Sequence, residues 1–519
     1  MNEHDEPHYR FSEAPIWEML RTYYNELGPD AWRNDQVPQY ITSNPMIAEA
    51  YAEMIFGFLL DRAALGDPEE PVVIAELGAG PGRLGFHILH RLERLVAESG
   101  MALPPYRYIL TDFSDKNITS WQRHPKLRPY CEQGVLDFAR FDATLDRELY
   151  LLHSGEVISA GSLSQPVFVI ANYFFDSIPQ QLIYVDEGRI FECEISLGLP
   201  ENHEAMKPGE LLGKLAPAYH YRRAEVYETP DYPYRETTRL YQAELEDSHI
   251  LFPDTAIACM ERLGALSRSG FLLLTADKGD HRMENWRFAA PPSLIHHGSV
   301  SFTANYHAMT HVFGQRGAQS FFTKHHYKNL NVGIIAMTER PQELRHTRLA
   351  YNRFIGRFGP DDFFSLKLLV DRQIGSMELQ PFLAFWRLGC FDAEWFIQNA
   401  EQLSGLLSEA SDEELEDLRS GIYAMWSGYY EMPQPYDLAL DAGLLLFEME
   451  RYAAAEWFLG QSLEAESETP DITVLYCLAI CRYEADDLES AIAYTRKALT
   501  LAPDHEEAQS LLAALTGEA

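Results

Sequence analysis

Residues Val72 to Gly85 read V-V-I-A-E-L-G-A-G-P-G-R-L-G: an apolar run, an acid, then glycine at 78, 80 and 82. An apolar run closing on Glu76 is a buried parallel strand, and Gly78, Gly80 and Gly82 strip side chains from the turn so that backbone can press against a ligand. The chemistry such a turn serves is nucleotide binding, for dinucleotides and for S-adenosylmethionine alike. Gly80, Gly82 and Gly85 satisfy G-x-G-x-x-G, which keeps NAD open. Glu76, however, stands at the strand's end, where its charge would repel a pyrophosphate and suit a ligand carrying an ammonium and a sulfonium. The pattern favours S-adenosylmethionine, with a plain structural turn as the remaining alternative.

The elements that position such a turn follow in order. A helical pattern over Phe86 to Val96 leads to the strand Tyr106 to Ser114, whose Asp112 can accept both ribose hydroxyls, each charge-assisted bond contributing about 1.5–3 kcal/mol. Its plainer reading is a helix N-cap or turn acid. A third strand, Val135 to Phe141, ends on Asp142, an acid suited to the exocyclic amine of adenine. Three successive strands ending on Glu76, Asp112 and Asp142 place three acids where parallel sheets bind ligands. A fourth strand, Pro166 to Ala171, runs into Asn172-Tyr173-Phe174-Phe175-Asp176-Ser177-Ile178-Pro179. Asn172, at its terminus, touches cofactor or fixes the loop.

That last stretch resembles the N-E-F-F-D-A-L-P signature of the MidA-like methyltransferases, a family that includes a mitochondrial complex I assembly factor methylating an arginine of a partner subunit. Tyr40-Ile41-Thr42-Ser43-Asn44-Pro45 resembles the family's F-I-T-S-P-E segment, and Gly270 to Gly279 its strand ending in D-Y-G. The likeness spans roughly residues 35 to 340. It implies an α/β fold with a Rossmann-like class I methyltransferase sheet and inserted elements, S-adenosyl-L-methionine as cofactor, and direct displacement at the methyl carbon. Such a reaction asks mainly for positioning and exclusion of water. The resemblance makes Asp176 the candidate to orient or deprotonate an acceptor, with Tyr173 lining the pocket; the alternative for Asp176 is a cap of the turn before Pro179. Tyr173 stands where the family has Glu, and Asp277-Lys278-Gly279 where it has D-Y-G. The first change removes a carboxylate of the kind that holds a guanidinium bidentately. His307 reads as structural, and no residue spacing reads as a metal site.

The 519 residues suit three or four domain-sized units, roughly. With 42 Lys and Arg against 78 Asp and Glu, a formal charge of −36 repels phosphate backbones and anionic lipid, which excludes nucleic acid as an expected partner and modestly favours basic ones. Six scattered cysteines form neither a disulfide framework nor a zinc knuckle, and Cys477 and Cys481, one helical turn apart, read as small interface residues. No run reaches membrane-spanning length, no leader follows the acidic start, and the expected compartment is the cytoplasm.

Residues 1–340 are therefore expected to form the methyltransferase domain, with a helical segment over 1–70 and the core over 71–340. Inside it, Leu182 to Phe191 reads as a hairpin, and the tyrosine-rich Ala218 to Tyr241 as either a wall of the acceptor pocket or packing over the sheet edge. Strand signals stop near residue 340. Residues 341–430 read as a helical linker holding a degenerate repeat around Phe391 to Phe396, and 431–519 as an all-α tetratricopeptide-like repeat domain. Arg451 to Leu463 aligns on Asp487 to Leu499 with an offset of 36, against a period of 34, the difference falling in Ser467-Glu468-Thr469-Pro470. Stacked repeats offer a concave face for a protein substrate or partner; a helical cap or dimer surface is the alternative. Three function classes stand: a methyltransferase acting on a protein side chain such as arginine, a catalytically silent cofactor-binding scaffold, and an NAD-dependent oxidoreductase. Oligomeric state is not legible.

Overall fold

The computed structural model describes residues 7–35, 37, 40–65, 69–200, 202–296, 299–325, 330–432, 436–465 and 470–517. Contacts divide the chain into two compact units, Met1–Ser365 and Leu366–Ala519. Seven strands of the first unit make one sheet: β1 (Val72–Leu77), β2 (Tyr106–Asp112), β3 (Leu136–Arg140), β4 (Val167–Asn172), β5 (Gly270–Asp277), β6 (Gln319–Phe322) and β7 (Asn331–Thr338). Their order is β3-β2-β1-β4-β5-β7-β6, and only β7 runs antiparallel to its neighbours. β1 is buried along its whole length and β4 nearly so, which accounts for their unbroken apolar runs. Strand order reverses between β1 and β4, so their carboxyl ends bound the crevice where open sheets of this kind take ligands. Register aligns that rim: Leu77 pairs with Ala171 and Asn172 with Ala276.

Helices cover the sheet: α1 (Ile16–Leu27), α2 (Pro45–Leu65), α3 (Arg83–Ser99), α4 (Asp115–Arg123) and α5 (Arg345–Tyr351). α2 is apolar around its circumference, and Ile47, Tyr51, Ile55 and Phe58 are fully buried. Its Gly57 permits close approach to α5, since a Cβ there would lie 2.9 Å from the His346 carbonyl oxygen. Asp61 of α2 then accepts the His346 and Thr347 N–H groups, each at 2.9 Å, capping α5. The expected boundary at residue 340 is thus too early, because α5 completes the first unit. Nor is 1–70 a separate helical segment: Tyr9–Arg10 pairs with the strand Arg189–Gly198 of a second, antiparallel sheet. That sheet contains the expected hairpin, Gln181–Asp186 against Arg189–Gly198, turning through Glu187 and Gly188 at φ 47 and 67. Ser248–Phe252 extends it on the far side of Gln181–Asp186.

The second unit is helical throughout its regular elements. Tyr452–Ala465 and Leu488–Leu501 begin and end 36 residues apart, and the turns before them hold Glu450 and Asp486 at φ 57 and 59. Aspartates cap helices of this unit: Asp437 accepts from Leu440 N, Asp471 from Thr473 N and Asp487 from Ser490 N. Ala442, Ala455, Ala479 and Ala491 are fully buried, and a Cβ at Gly443 would meet Leu459 at 2.8 Å, so small residues set how closely the helices pack. Ser467 to Thr469, to which the extra residues were assigned, lie outside the described residues.

Candidate functional site: a cleft at the carboxyl ends of β1, β2 and β4

The glycine loop leaves β1 with Gly78 at φ 60 and Gly80 at φ 54, a conformation that β1's preceding residues could not hold without strain. Aromatic rings of this chain, in addition to any ligand, need the missing side chains: a Cβ at Gly78 would lie 2.9 Å from Phe174 and one at Gly80 2.8 Å from Trp32. The Gly80 N–H donates to Asp112 Oδ2 at 3.1 Å and the Gly82 N–H to the Ala79 carbonyl at 2.9 Å. Two N–H groups that would hold a pyrophosphate are thereby taken, so the loop suits S-adenosylmethionine, which carries no phosphate, better than a dinucleotide.

The three strand-end acids have different environments. Asp112 is buried; its Oδ1 accepts the Ser114 N–H at 2.9 Å, and its Oδ2 the Asn117 amide at 3.0 Å besides Gly80. Burial pushes it up to about 6 against those bonds. It serves as the turn acid that the sequence offered as an alternative, and it shapes the loop. Glu76 lies beneath α3, accepts from the Tyr108 hydroxyl at 2.7 Å, and is pushed by burial up to about 8. That burial disfavours the charge the sequence reading placed on it. Asp142 is half-buried: burial raises it, but bonds from Thr144 and the Arg21 guanidinium at 2.8 Å outweigh that and hold it below the usual carboxylate range.

Beyond β4 the chain bends sharply. Asn172 Oδ1 accepts from the Tyr51 hydroxyl of α2 at 2.7 Å. Tyr173 follows at φ 46, left-handed for a bulky residue and worth roughly 1–2 kcal/mol of strain. Two contacts hold the bend: Tyr173 N donates to the Ala276 carbonyl, and Asp277 Oδ2 accepts the Phe174 and Phe175 N–H groups at 3.2 and 3.0 Å. Asp176 is wholly buried, with Oδ1 accepting from Ser177 at 2.7 Å. It lies within hydrogen-bonding reach of Asp277; burial raises both carboxyls, and the Asp176 charge raises Asp277 further. As placed, Asp176 exposes nothing to an acceptor and acts through the loop, a positioning residue where direct contact was expected. Tyr173 is half-buried in the field of both carboxyls, and burial and those charges push its hydroxyl upward.

A cavity of about 530 Å³ opens past the end of β5, lined by Lys278, Gly279, Asp280, His249, Trp286 and Thr303 among others. Thr303 adjoins Phe302, whose N–H donates to the Asp176 carbonyl at 3.0 Å. Of the tyrosine-rich insertion, Tyr227 and Tyr241 are buried in the core, and the exposed Tyr221 bonds His249 Nε2, a residue of the cavity lining, at 2.8 Å without lining the cavity itself. His307 bonds the Tyr241 hydroxyl at 2.9 Å and is pushed down to about 4 by burial, in keeping with a structural role.

Sequence reasoning missed the cover of the cleft. Arg21 and Tyr24 of α1 and Trp32 of the following turn lie over the strand ends: Arg21 sits 5.0 Å above the Phe113 ring, and Tyr24 stacks on Trp32 at 5.9 Å. Burial, and then the nearby charges of Asp176 and Asp112, push the Tyr24 hydroxyl upward, so it sits between the ends of β2 and β4. The only sequence signal was α1's amphipathic spacing, which says that a helix packs and not on what. Asp277 carried a better signal, an acid at the end of a fifth strand.

A family profile described as "Putative S-adenosyl-L-methionine-dependent methyltransferase" matches residues 59–334, just over half of the chain. Among solved structures, the chain is similar to an uncharacterized protein from Burkholderia thailandensis, at 14% identity over 64% of this chain and 87% of that one, with a TM-score of 0.40. A second from the same organism, described as a "likely methyl transferase" bound to S-adenosyl-homocysteine, is 16% identical over 61% and 74%, with a TM-score of 0.39. The CurJ carbon methyltransferase is 12% identical over 55% and 54%, with a TM-score of 0.25. No curated protein matches. On the profile match, the chain belongs to this family of S-adenosyl-L-methionine-dependent methyltransferases.

Proposed function

We propose that the cleft bounded by Gly78, Gly80, Asp112, Asp142 and Asn172 binds the cofactor in a class I methyltransferase sheet, and that the methyl acceptor is a protein side chain. The second unit is read as a tetratricopeptide-like array that recruits the protein. The observation that carries the reading is convergence: the glycine loop with its Gly80 and Gly82 N–H groups already bonded, the strained Tyr173 and the buried Asp176–Asp277 pair all lie at one rim of the sheet, beside a cavity of about 530 Å³.

When bound, the cofactor supplies a methyl group activated by a positively charged sulfur. The chain's residues would orient the acceptor and keep water out. Trp32, Tyr24 and Phe174 cover the rim with rings. Tyr173, its hydroxyl neutral across the physiological range, would accept or donate one hydrogen bond to the acceptor. The Asp176–Asp277 pair fixes the Tyr173 bend through the Phe174 and Phe175 N–H groups and would act on the acceptor only by positioning that loop. Arginine is one candidate acceptor, supported by the family resemblance alone, and Tyr173 in place of the family's Glu counts against it because a carboxylate that would hold the guanidinium is missing.

The test is transfer of a radiolabelled methyl group from the cofactor to proteins of a cell extract by the full chain, followed by hydrolysis and amino-acid analysis. Label in methylarginine supports the reading; label confined to small metabolites overturns it. A silent scaffold would bind S-adenosyl-homocysteine and transfer no label at all.

A further inference from the structure

The negative charge of this chain is unevenly placed. Residues 366–519 carry 8 Lys and Arg against 29 Asp and Glu, a net −21 out of the chain's −36. On this acidic unit, the helices Asp412–Ser427 and Tyr452–Ala465 share an aromatic cluster. Buried Phe458 is its floor, with Trp426 at 5.3 Å and Trp457 at 4.7 Å between ring centres. Tyr423, 5.5 Å from Phe458, and Trp457 are large rings left 38% and 45% exposed. Beside Trp457 on its own helix stand Ala453 and Gly460, and a Cβ at Gly460 would meet nothing within 4 Å, so space flanks the indole. Exposed Glu416 and Glu464 lie on the same helices. The chain already uses this chemistry once, with the Arg419 guanidinium 5.8 Å from the Tyr423 ring centre and bonded to Glu416.

We infer that the Tyr423–Trp457 face docks an arginine-rich segment of a protein partner, with guanidinium groups stacked on the exposed rings and paired with the surrounding carboxylates. The inference rests on the reading of the second unit as a partner-binding array and adds the partner's chemistry. Charge alone would accept lysine equally; the exposed Trp457 indole, beside a Tyr423 ring that already carries Arg419 in this manner, favours the planar guanidinium, which stacks and bonds at its edge at once.

The experiment is titration of the full chain with three short synthetic peptides: one arginine-rich, one lysine-rich of equal charge, and one uncharged and aromatic. The arginine-rich peptide is expected to bind several-fold more tightly than the lysine-rich one. Trp457→Ala and Tyr423→Ala are expected to weaken it about tenfold with the thermal midpoint unchanged; Trp457→Phe, should the alanine variant fold poorly, keeps a ring and restores part. Equal affinity for both cationic peptides, indifferent to Trp457, overturns the inference, the charge being unspecific. Binding of the uncharged peptide alone, lost in Trp457→Ala, overturns the inference and leaves recruitment standing. Binding of none overturns both.

Discussion

Asp176 and Asp277 are sealed together behind the β4 loop, and each keeps one carboxyl oxygen, Asp176 Oδ2 and Asp277 Oδ1, without a protein donor. Two carboxylates in such a place cannot both be charged, because each raises the proton affinity of the other in a medium that solvates neither. A proton shared between the two carboxyls would relieve that repulsion and make the pair a single titrating unit. The pair also anchors the Phe174 and Phe175 N–H groups, so its protonation bears on the loop that carries Tyr173.

Asp277→Asn follows from that relationship. With native carboxyls raised above the ordinary 3.8, the folded state holds a proton that the unfolded state releases; this stability is complete below the unfolded pKa and is lost as pH rises through the native values. The substitution removes the repulsion and lets Asp176 ionise more readily. Unfolding free energies of the two proteins, measured in urea, are expected to diverge in favour of the variant between pH 5 and pH 8, by on the order of 1–3 kcal/mol. Parallel pH profiles would show that no proton is shared.

Glu76→Gln tests a second buried acid by the same sign. Burial lifts Glu76 to about 8 from an ordinary 4.5, so wild-type stability declines as pH rises toward and past 8. Glutamine keeps an acceptor for the Tyr108 hydroxyl and cannot ionise. The variant is expected to match the wild type near pH 5 and to exceed it at pH 9, measured by urea unfolding. A loss of stability at every pH would mean that the Tyr108 contact depends on the carboxyl itself.

The sheet was legible where burial imposes a simple pattern. Val72–Leu77 and Val167–Asn172 are unbroken apolar runs because both faces are covered, and their terminal residues fix the rim. Side-chain use was less legible. Asp112 and Asp142 read as ligand acids, yet Asp112 folds the loop and Asp142 is paired with Arg21, since a strand-end carboxylate satisfies whichever donors the tertiary fold brings. No local rule ties Trp32 to Gly80 across such a chain separation. The boundary near 340 was misplaced for a similar reason: Asp61 caps a helix that begins at Arg345, a long-range bond with no local signature.

Asp112→Ala is expected to weaken S-adenosyl-homocysteine binding about 10- to 100-fold by calorimetry, because the Gly80 N–H loses its acceptor and the loop its clamp. Asp112→Asn retains an oxygen for that N–H and is expected to recover part of the affinity. If asparagine were no better than alanine, the carboxylate's charge and not the clamp would be what the ligand needs.

Trp32 and Gly80 form the tightest pairing in the cleft and allow a double-mutant cycle. Gly80→Ala meets two separate penalties: a left-handed φ of 54, worth about 1–2 kcal/mol, and a Cβ 2.8 Å from the indole. Trp32→Ala relieves the second and leaves the first. Gly80→Ala is therefore expected to cost less in the Trp32→Ala background than in the wild type, with a coupling of about 0.5–3 kcal/mol by chemical unfolding. Strict additivity would mean that the indole swings away at little cost and does not cover the loop. Cofactor affinity separates cover from mere packing: Trp32→Phe, which keeps a ring over the loop, should bind S-adenosyl-homocysteine more tightly than Trp32→Ala, whereas a ring that only packs would leave both variants with the wild-type affinity.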